Sequence, residues 1–254
     1  MGKIIAVTLR KGGSGKTTTS INLATALHLK GKRTLLVDLD PQANATISVG
    51  IDPLSLTKHI NSLFTDISVK TEEAIAKTGF GLQILPSHPD LAETEAGMRA
   101  TQIGLLKGLL EPIDGLFDYI VIDTPPAESY LTVNALATAD EVVIPLQTHY
   151  LAMRGLQEAI EEISEVKKGL NPKLKVAGIL PTMVNNRTNI AKTVLEAVTE
   201  AYKAYLYPFQ IDFSIKHAEA TLAGLPIIIY DPKHQGSLAY MKLANLIIKG
   251  GKND

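Results

Sequence analysis

Apolar residues recur along the chain in two alternating rhythms. Short continuous runs at residues 4–9, 34–37, 82–85, 119–122, 141–145, 176–180 and 227–229 read as strands buried on both faces. Between most of them the apolar spacing changes to three and four. The segment Lys16–Leu29 places Ile21, Ala24, Leu27 and His28 on one side, and Gly31 follows as a stop signal. Residues 153–168 repeat this with Leu156, Ile160, Ile163 and Val166 before Gly169, and residues 189–205 and 238–248 read similarly. Strand–helix alternation of this kind predicts an α/β fold: a mostly parallel, twisted sheet with helices on both faces, in three layers. Strand signals are missing across residues 41–80, where irregular structure is expected. With no repeat, low-complexity segment or Pro/Gly/Ser-rich linker, the pattern predicts one domain over residues 1–254.

Composition narrows the chemistry. Hydrophobic residues at 45% and charged residues at 20% over 254 residues suit an ordinary folded chain with a sizeable core. The absence of cysteine excludes disulfides, thiolate zinc sites, iron–sulfur clusters and cysteine nucleophiles, and fits a cytoplasmic location. No run approaches the roughly 18 apolar residues of a membrane span, and the first residues do not read as a signal peptide. The net charge of −1 argues against a globally basic nucleic-acid binder. Its distribution is uneven: eight Lys/Arg face three Asp/Glu in residues 1–60, nine face seventeen in 61–184, and eight face six in 185–254. A contact with nucleic acid must therefore come from a local patch.

Residues 8–20, TLRKGGSGKTTTS, nearly spell the phosphate-binding pattern G-x-x-x-x-G-K-[ST], but Arg10 stands where the first glycine belongs. The loop follows a predicted strand and opens a predicted helix, the context that pattern needs. Backbone N–H groups across Gly12, Gly13, Ser14, Gly15, Lys16, Thr17 and Thr18 can cradle phosphate oxygens beside the positive end of the helix dipole. Lys16 is then expected to bridge β- and γ-phosphates, and the Thr17 hydroxyl to ligate Mg²⁺. The strand YIVID closes on Asp123, suited to hold a magnesium-bound water. In LLVDLDPQAN, Asp40 lies just past a strand, where it can orient an attacking water or touch the metal through water.

With these residues in hand, KGGSGKTTTSINLA, VDLDPQANAT, YIVIDTPPAES and AGLPIIIYDP…GSLAYMKLA together resemble the ParA/Soj branch of the deviant Walker A ATPases, in which MinD is a cousin. The resemblance spans essentially the whole chain. It implies a P-loop NTPase fold, ATP and Mg²⁺ as cofactors, and an ATP-sandwich homodimer. Lys11 matches the signature lysine that reaches the partner's phosphates, Asp40 the switch aspartate needed for hydrolysis, and Asp123 with Thr124-Pro125-Pro126 the second switch. The dimer is implied to bind DNA without sequence preference and to be released when a ParB-type centromere-binding partner stimulates hydrolysis, giving a nucleoid-associated protein. Arg187 matches a family arginine, and Lys216 stands where an arginine is usual; both are expected to contact DNA phosphates. Two lysines in one short loop repel unless dense negative charge lies between them, which a triphosphate in a dimer interface supplies.

Departures from the family pattern are specific. Leu9-Arg10 replaces Asn-Gln, and Ser14 replaces Val. Asp212 and Ser214 stand where Pro and Asn neighbour adenine, so they are expected near the base. His149 and Arg154 take places more often acidic, and His149 reads as a surface histidine, with a pH-sensitive or partner contact as the alternative. Two alternatives stay open: a MinD-like membrane-associated positioning ATPase, and positioning of a protein cargo on the nucleoid. MinD-like action needs a C-terminal amphipathic helix. The ending MKLANLIIKGGKND reads instead as core-packing, so stable membrane association is not expected. The loop strand begins at residue 4, so an N-terminal helix-turn-helix domain is not expected either.

Overall fold

The computed structural model describes residues 2–126 and 128–250. Its seven strands are β1 (Lys3–Val7), β2 (Thr34–Asp38), β3 (Ala76–Lys77), β4 (Gln83–Leu85), β5 (Tyr119–Asp123), β6 (Glu141–Gln147) and β7 (Lys175–Thr182). They form one sheet in the order β3-β4-β2-β5-β1-β6-β7, parallel throughout except for the antiparallel edge strand β3. The helices are α1 (Lys16–Leu29), α2 (Asn44–Ser48), α3 (Ile60–Thr65), α4 (Leu91–Gly97), α5 (Leu105–Leu110), α6 (Tyr130–Thr138), α7 (Ala152–Gly169), α8 (Asn189–Tyr202), α9 (Lys216–Leu222), α10 (Ile227–Tyr230) and α11 (Gln235–Ile248).

Strand alternation sorts the core into two layers. Ile4, Ala6, Leu35, Val37, Ile120 and Ile122 point to the face covered by α3 through α8. Their neighbours Ile5, Val7, Leu36 and Val121 point to the other face, covered by α1, α2 and α9 through α11. Both faces are dry, which explains why the strands read as unbroken apolar runs. The three-layer expectation is met.

Several boundaries differ from the predicted ones for identifiable reasons. The predicted strand at 227–229 is instead the short helix α10. Pro226 precedes it in extended backbone at φ −65°, ψ 150°, a ready helix entry, and Ile227 and Ile228 are buried in the α1 layer. A three-residue apolar run satisfies a buried helix turn as well as a strand. Helix α11 starts three residues before its predicted position because His234 caps it, its side chain accepting from the Gly236 N–H. Helix α8 ends at Tyr202, short of the predicted 205, and β6 runs through Pro145 to Gln147. Residues 41–80 hold only short helices and the two-residue β3, consistent with the missing strand signals.

The topology decides where chemistry can gather. β5 lies between β1 and β2, so the register pairs Val7 with Asp123 and Asp123 with Asp38. The loop after β1 and both acidic strand ends therefore meet at the carboxyl edge of the sheet, where open α/β folds bind ligands.

Candidate functional site

Two glycines shape the loop between β1 and α1. Gly13 has φ 71° and Gly15, the α1 N-cap, has φ 86°, left-handed values that a side chain would oppose. Thr124 Oγ1 donates to Val7 O at 3.0 Å, and Thr182 Oγ1 donates to Ser14 O at 2.7 Å, tying the loop to β5 and β7. The Ser14 hydroxyl itself is buried with no hydrogen-bond partner.

Lys16 is 6% exposed, and its Nζ donates to Lys11 O at 3.0 Å. Burial pulls its pKa down, while the nearby Asp123 and Asp40 carboxylates oppose that shift. Asp123 is fully buried; Ser20 Oγ donates to its Oδ1 at 2.8 Å, and its Oδ2 has no partner. The Thr17 hydroxyl lies close enough to favour its charged form. Burial, then the charge of Asp38, nevertheless pushes Asp123 well above the usual carboxylate range. Asp38, which sequence reading left without a role, accepts from Thr46 N and Thr46 Oγ1, each at 2.8 Å, and from Asp40 N at 3.2 Å. It thus pins the turn carrying Asp40. Asp40 is 5% exposed; its Oδ1 accepts from Gln42 N at 3.0 Å, and burial raises its pKa against the pull of Lys16.

Asp123 and Asp40 beside one lysine oppose a polyphosphate, so anion binding here calls for an added cation. The orphaned Asp123 Oδ2 and the hydroxyl of Thr17 are hard oxygen donors that fit magnesium. A cavity of about 310 Å³ lies over the loop, lined by residues 12–18, Asp40, Asn44, Ser48 and Pro126. It adjoins a second, of about 250 Å³, through Gly15, Thr18, Met183 and Thr221.

That second cavity is largely apolar and lined by Ile211, Phe213, Met183, His217 and Tyr240, with Asp212 and Ser214 on its wall. Asp212 and Ser214, expected near the base, both line this cavity beside the glycine loop. Asp212 Oδ1 accepts from Asn186 Nδ2 at 3.0 Å and Gln210 Nε2 at 2.6 Å. Ser214 Oγ lies 3.1 Å from His234 Nε2 and accepts from Lys216 N at 3.2 Å. His217 was missed by sequence reading. Both its ring nitrogens are buried without partners, and burial, then His234, pushes its pKa down to about 4. Met183, at φ 50°, and Tyr240 were missed too, because only the fold carries them to the loop.

The two basic loop neighbours take different places. Arg10 turns away from the phosphate cavity: its Nε donates to buried Glu162 at 3.1 Å, and its Nη1 lies 3.0 Å from Glu128. It is a strut to α7, which explains the misfit in the motif. Lys11 is half-buried at the mouth, with Nζ 2.6 Å from His149 Nε2 and 3.3 Å from Nδ1. His149 is therefore not the free surface histidine expected. Arg187 is exposed in the turn before α8. Lys216 opens α9, with Nζ 2.7 Å from Glu219 and 5.8 Å from the Tyr230 ring centre.

A family described as AAA domain matches residues 2–176. The sporulation initiation inhibitor protein Soj of Bacillus subtilis is 40% identical over 99% of this chain and 100% of its own length. The chromosome partitioning protein ParA of Myxococcus xanthus is 42% identical over 98% of this chain and 89% of its own. A solved structure described as cobyrinic acid a,c-diamide synthase from Mycobacterium smegmatis, with bound ADP and magnesium, is 35% identical. It covers 98% of this chain and 95% of its own, with a TM-score of 0.85. The chain belongs to the Soj/ParA group of chromosome-partitioning proteins within the MinD/ParA family of P-loop ATPases.

Proposed function

We propose that the chain is an ATP-driven partition motor whose ATP-bound dimer holds DNA without sequence preference and lets go on hydrolysis. The observation that carries this reading is the division of labour between the two loop lysines. Lys16 lies inside the phosphate cavity among Asp123 and Asp40, whereas Lys11 is not among the residues lining it. The chain's own site is furnished without Lys11, which leaves that cation for a second copy's phosphates.

In this reading the backbone of residues 12–18 binds the phosphates of ATP, and Lys16 steadies the β–γ bridge. Thr17, with Asp123 through water, would hold the magnesium, which neutralises phosphate charge when bound. Asp40 orients the attacking water and receives its proton as the γ-phosphoryl leaves ADP. Lys11 stabilises charge developing on the partner's β–γ bridge, as an arginine finger does. The cavity at Ser214, Asp212 and His217 takes the base.

Arg187 and Lys216 contact DNA phosphates, and doubling such contacts in a dimer converts weak into useful binding for a chain of net charge −1. Lys216 must exchange its contact with Glu219 for a phosphate. The hydrolysis step is stimulated by a ParB-type centromere-binding partner, and the working location is the nucleoid. Residues 1–254 act as one domain. Among the described residues no helix is long and apolar enough to cross a membrane.

The test is binding to random-sequence DNA and to anionic liposomes, each with ADP and with ATP. ATP-dependent DNA binding is the expected outcome. ATP-dependent liposome binding would favour the MinD-like reading instead. Neither binding would favour small-molecule chemistry of the kind named for the diamide synthase.

A further inference from the structure

Strands β1 and β6 are hydrogen-bonded neighbours, so the segments leaving their carboxyl ends run side by side. One segment carries Lys11 and the other His149. Two carboxylates on the α7 side of the loop, Glu128 and Glu162, pair with Arg10. Lys11 meets instead a ring, with Nζ 2.6 Å from Nε2 and 3.3 Å from Nδ1. The ring is itself anchored: Leu151 N donates to Nδ1 at 3.0 Å, and Ala152 N donates to the His149 carbonyl at 2.9 Å.

We propose that His149 is a positioning residue for Lys11, holding its ammonium against its own chain until a second copy takes it. This inference rests on the trans role of Lys11 proposed above.

The chemistry makes the hold releasable. A neutral imidazole has one nitrogen free to accept, yet two donors, Leu151 N–H and the Lys11 ammonium, face this ring. Each neutral tautomer accepts at one nitrogen, from Leu151 at Nδ1 or from Lys11 at Nε2, so the grip on Lys11 is intermittent and weaker than an ion pair. A protonated ring has no acceptor left and places a second positive charge beside Lys11. Burial, then Lys11, lowers the pKa of His149; no charged group of β6 or α7 opposes that shift. The neutral, lysine-holding ring thus prevails at neutral pH, and acid releases Lys11. Dimer affinity scales with the fraction of chains whose lysine is free, and two chains must release for each dimer. Dimerisation with ATP therefore strengthens as pH falls through the His149 pKa, below the ordinary value of about 6.5.

The experiment measures the dimer dissociation constant by sedimentation for the full chain with magnesium and a non-hydrolysable ATP analogue, at about pH 5 and about pH 8. Wild type is expected to tighten about tenfold on acidification. His149→Ala should be tight and flat across pH; His149→Gln, which keeps an acceptor but cannot titrate, should stay weak and flat. An unchanged affinity and pH slope in both variants overturns the proposal. A second readout needs no dimer: the ring titration of His149, followed by NMR without nucleotide, should move up in Lys11→Ala. An unmoved titration also overturns it. If Lys11→Ala dimerises like wild type while the ring does shift, the trans role itself has failed and the contact stands alone.

Discussion

Lys16 and Lys11 lie five positions apart in one loop and live in different physical worlds. Lys16 is nearly dry, flanked by buried carboxylates, and anchored to a backbone carbonyl. Lys11 is half-exposed at the mouth, and its ammonium meets a histidine ring. The first is placed for one ligand geometry within its own chain. The second is placed to leave. A loop lysine that does not line its own chain's cavity supports the proposal that the site is completed from outside.

Removing each lysine in turn breaks the comparison most strongly. Lys16→Ala should lose nucleotide binding by at least about a hundredfold, because buried Asp123 and Asp40 then face the phosphates uncompensated. Lys11→Ala should keep nucleotide within a few-fold and lose ATP-dependent dimerisation, checked by fluorescent-nucleotide titration and light scattering. Equal losses of nucleotide binding in both variants would erase the distinction. Asp40→Ala should lower ATP turnover about 10²–10⁴-fold while leaving an ATP-bound dimer that still binds DNA. Rapid turnover in that variant removes Asp40 from the water-orienting role.

The apolar cavity beside the loop gives a smaller effect, with a sign. His217 is held neutral at a pKa of about 4, below its unfolded value of about 6.5. The unfolded chain thus binds more protons between pH 4 and 6.5, so stability is lost as pH falls through that window. After allowing for partial exposure the loss is about 2 kcal/mol, and His217→Asn should flatten it in thermal melts between pH 7 and 4. The smallest expected effect lies on the outer surface. Arg187→Ala and Lys216→Ala should each weaken binding to all DNA sequences alike and reduce the salt slope by about 1 for each phosphate left without its cation. Unchanged salt slopes would move the DNA surface elsewhere.

What the sequence disclosed follows the same divide between local and assembled features. The glycines, Lys16 and Thr17 are contiguous, and their chemistry is written in one short stretch between a strand and a helix. Asp123 was legible because an apolar strand ending in a carboxylate has few other meanings beside such a loop. Asp38 was passed over because a strand-end aspartate that pins a turn looks the same in sequence as one that does not. The second cavity was half legible: Asp212 and Ser214 came from a family pattern, while His217, Met183 and Tyr240 come together only through β7, α9 and α11. The contact of Lys11 with His149 joins residues 138 positions apart and depends on β1 and β6 being neighbours in the sheet. Nothing in local spacing announces it. Helix α10 was misread because three isoleucines fill a buried helix turn as readily as a strand.

The central claim is that Lys11 serves another copy's nucleotide while Lys16 serves its own. Mixing Lys11→Ala with Lys16→Ala chains tests it most directly, since each variant retains what the other lacks. In a mixed dimer the Lys11→Ala chain can bind ATP and receive Lys11 from its partner. ATP hydrolysis is therefore predicted to reappear on mixing, approaching about a quarter of the wild-type rate when half the dimers are mixed and half their sites complete. A mixture no more active than its two components measured apart would contradict the account.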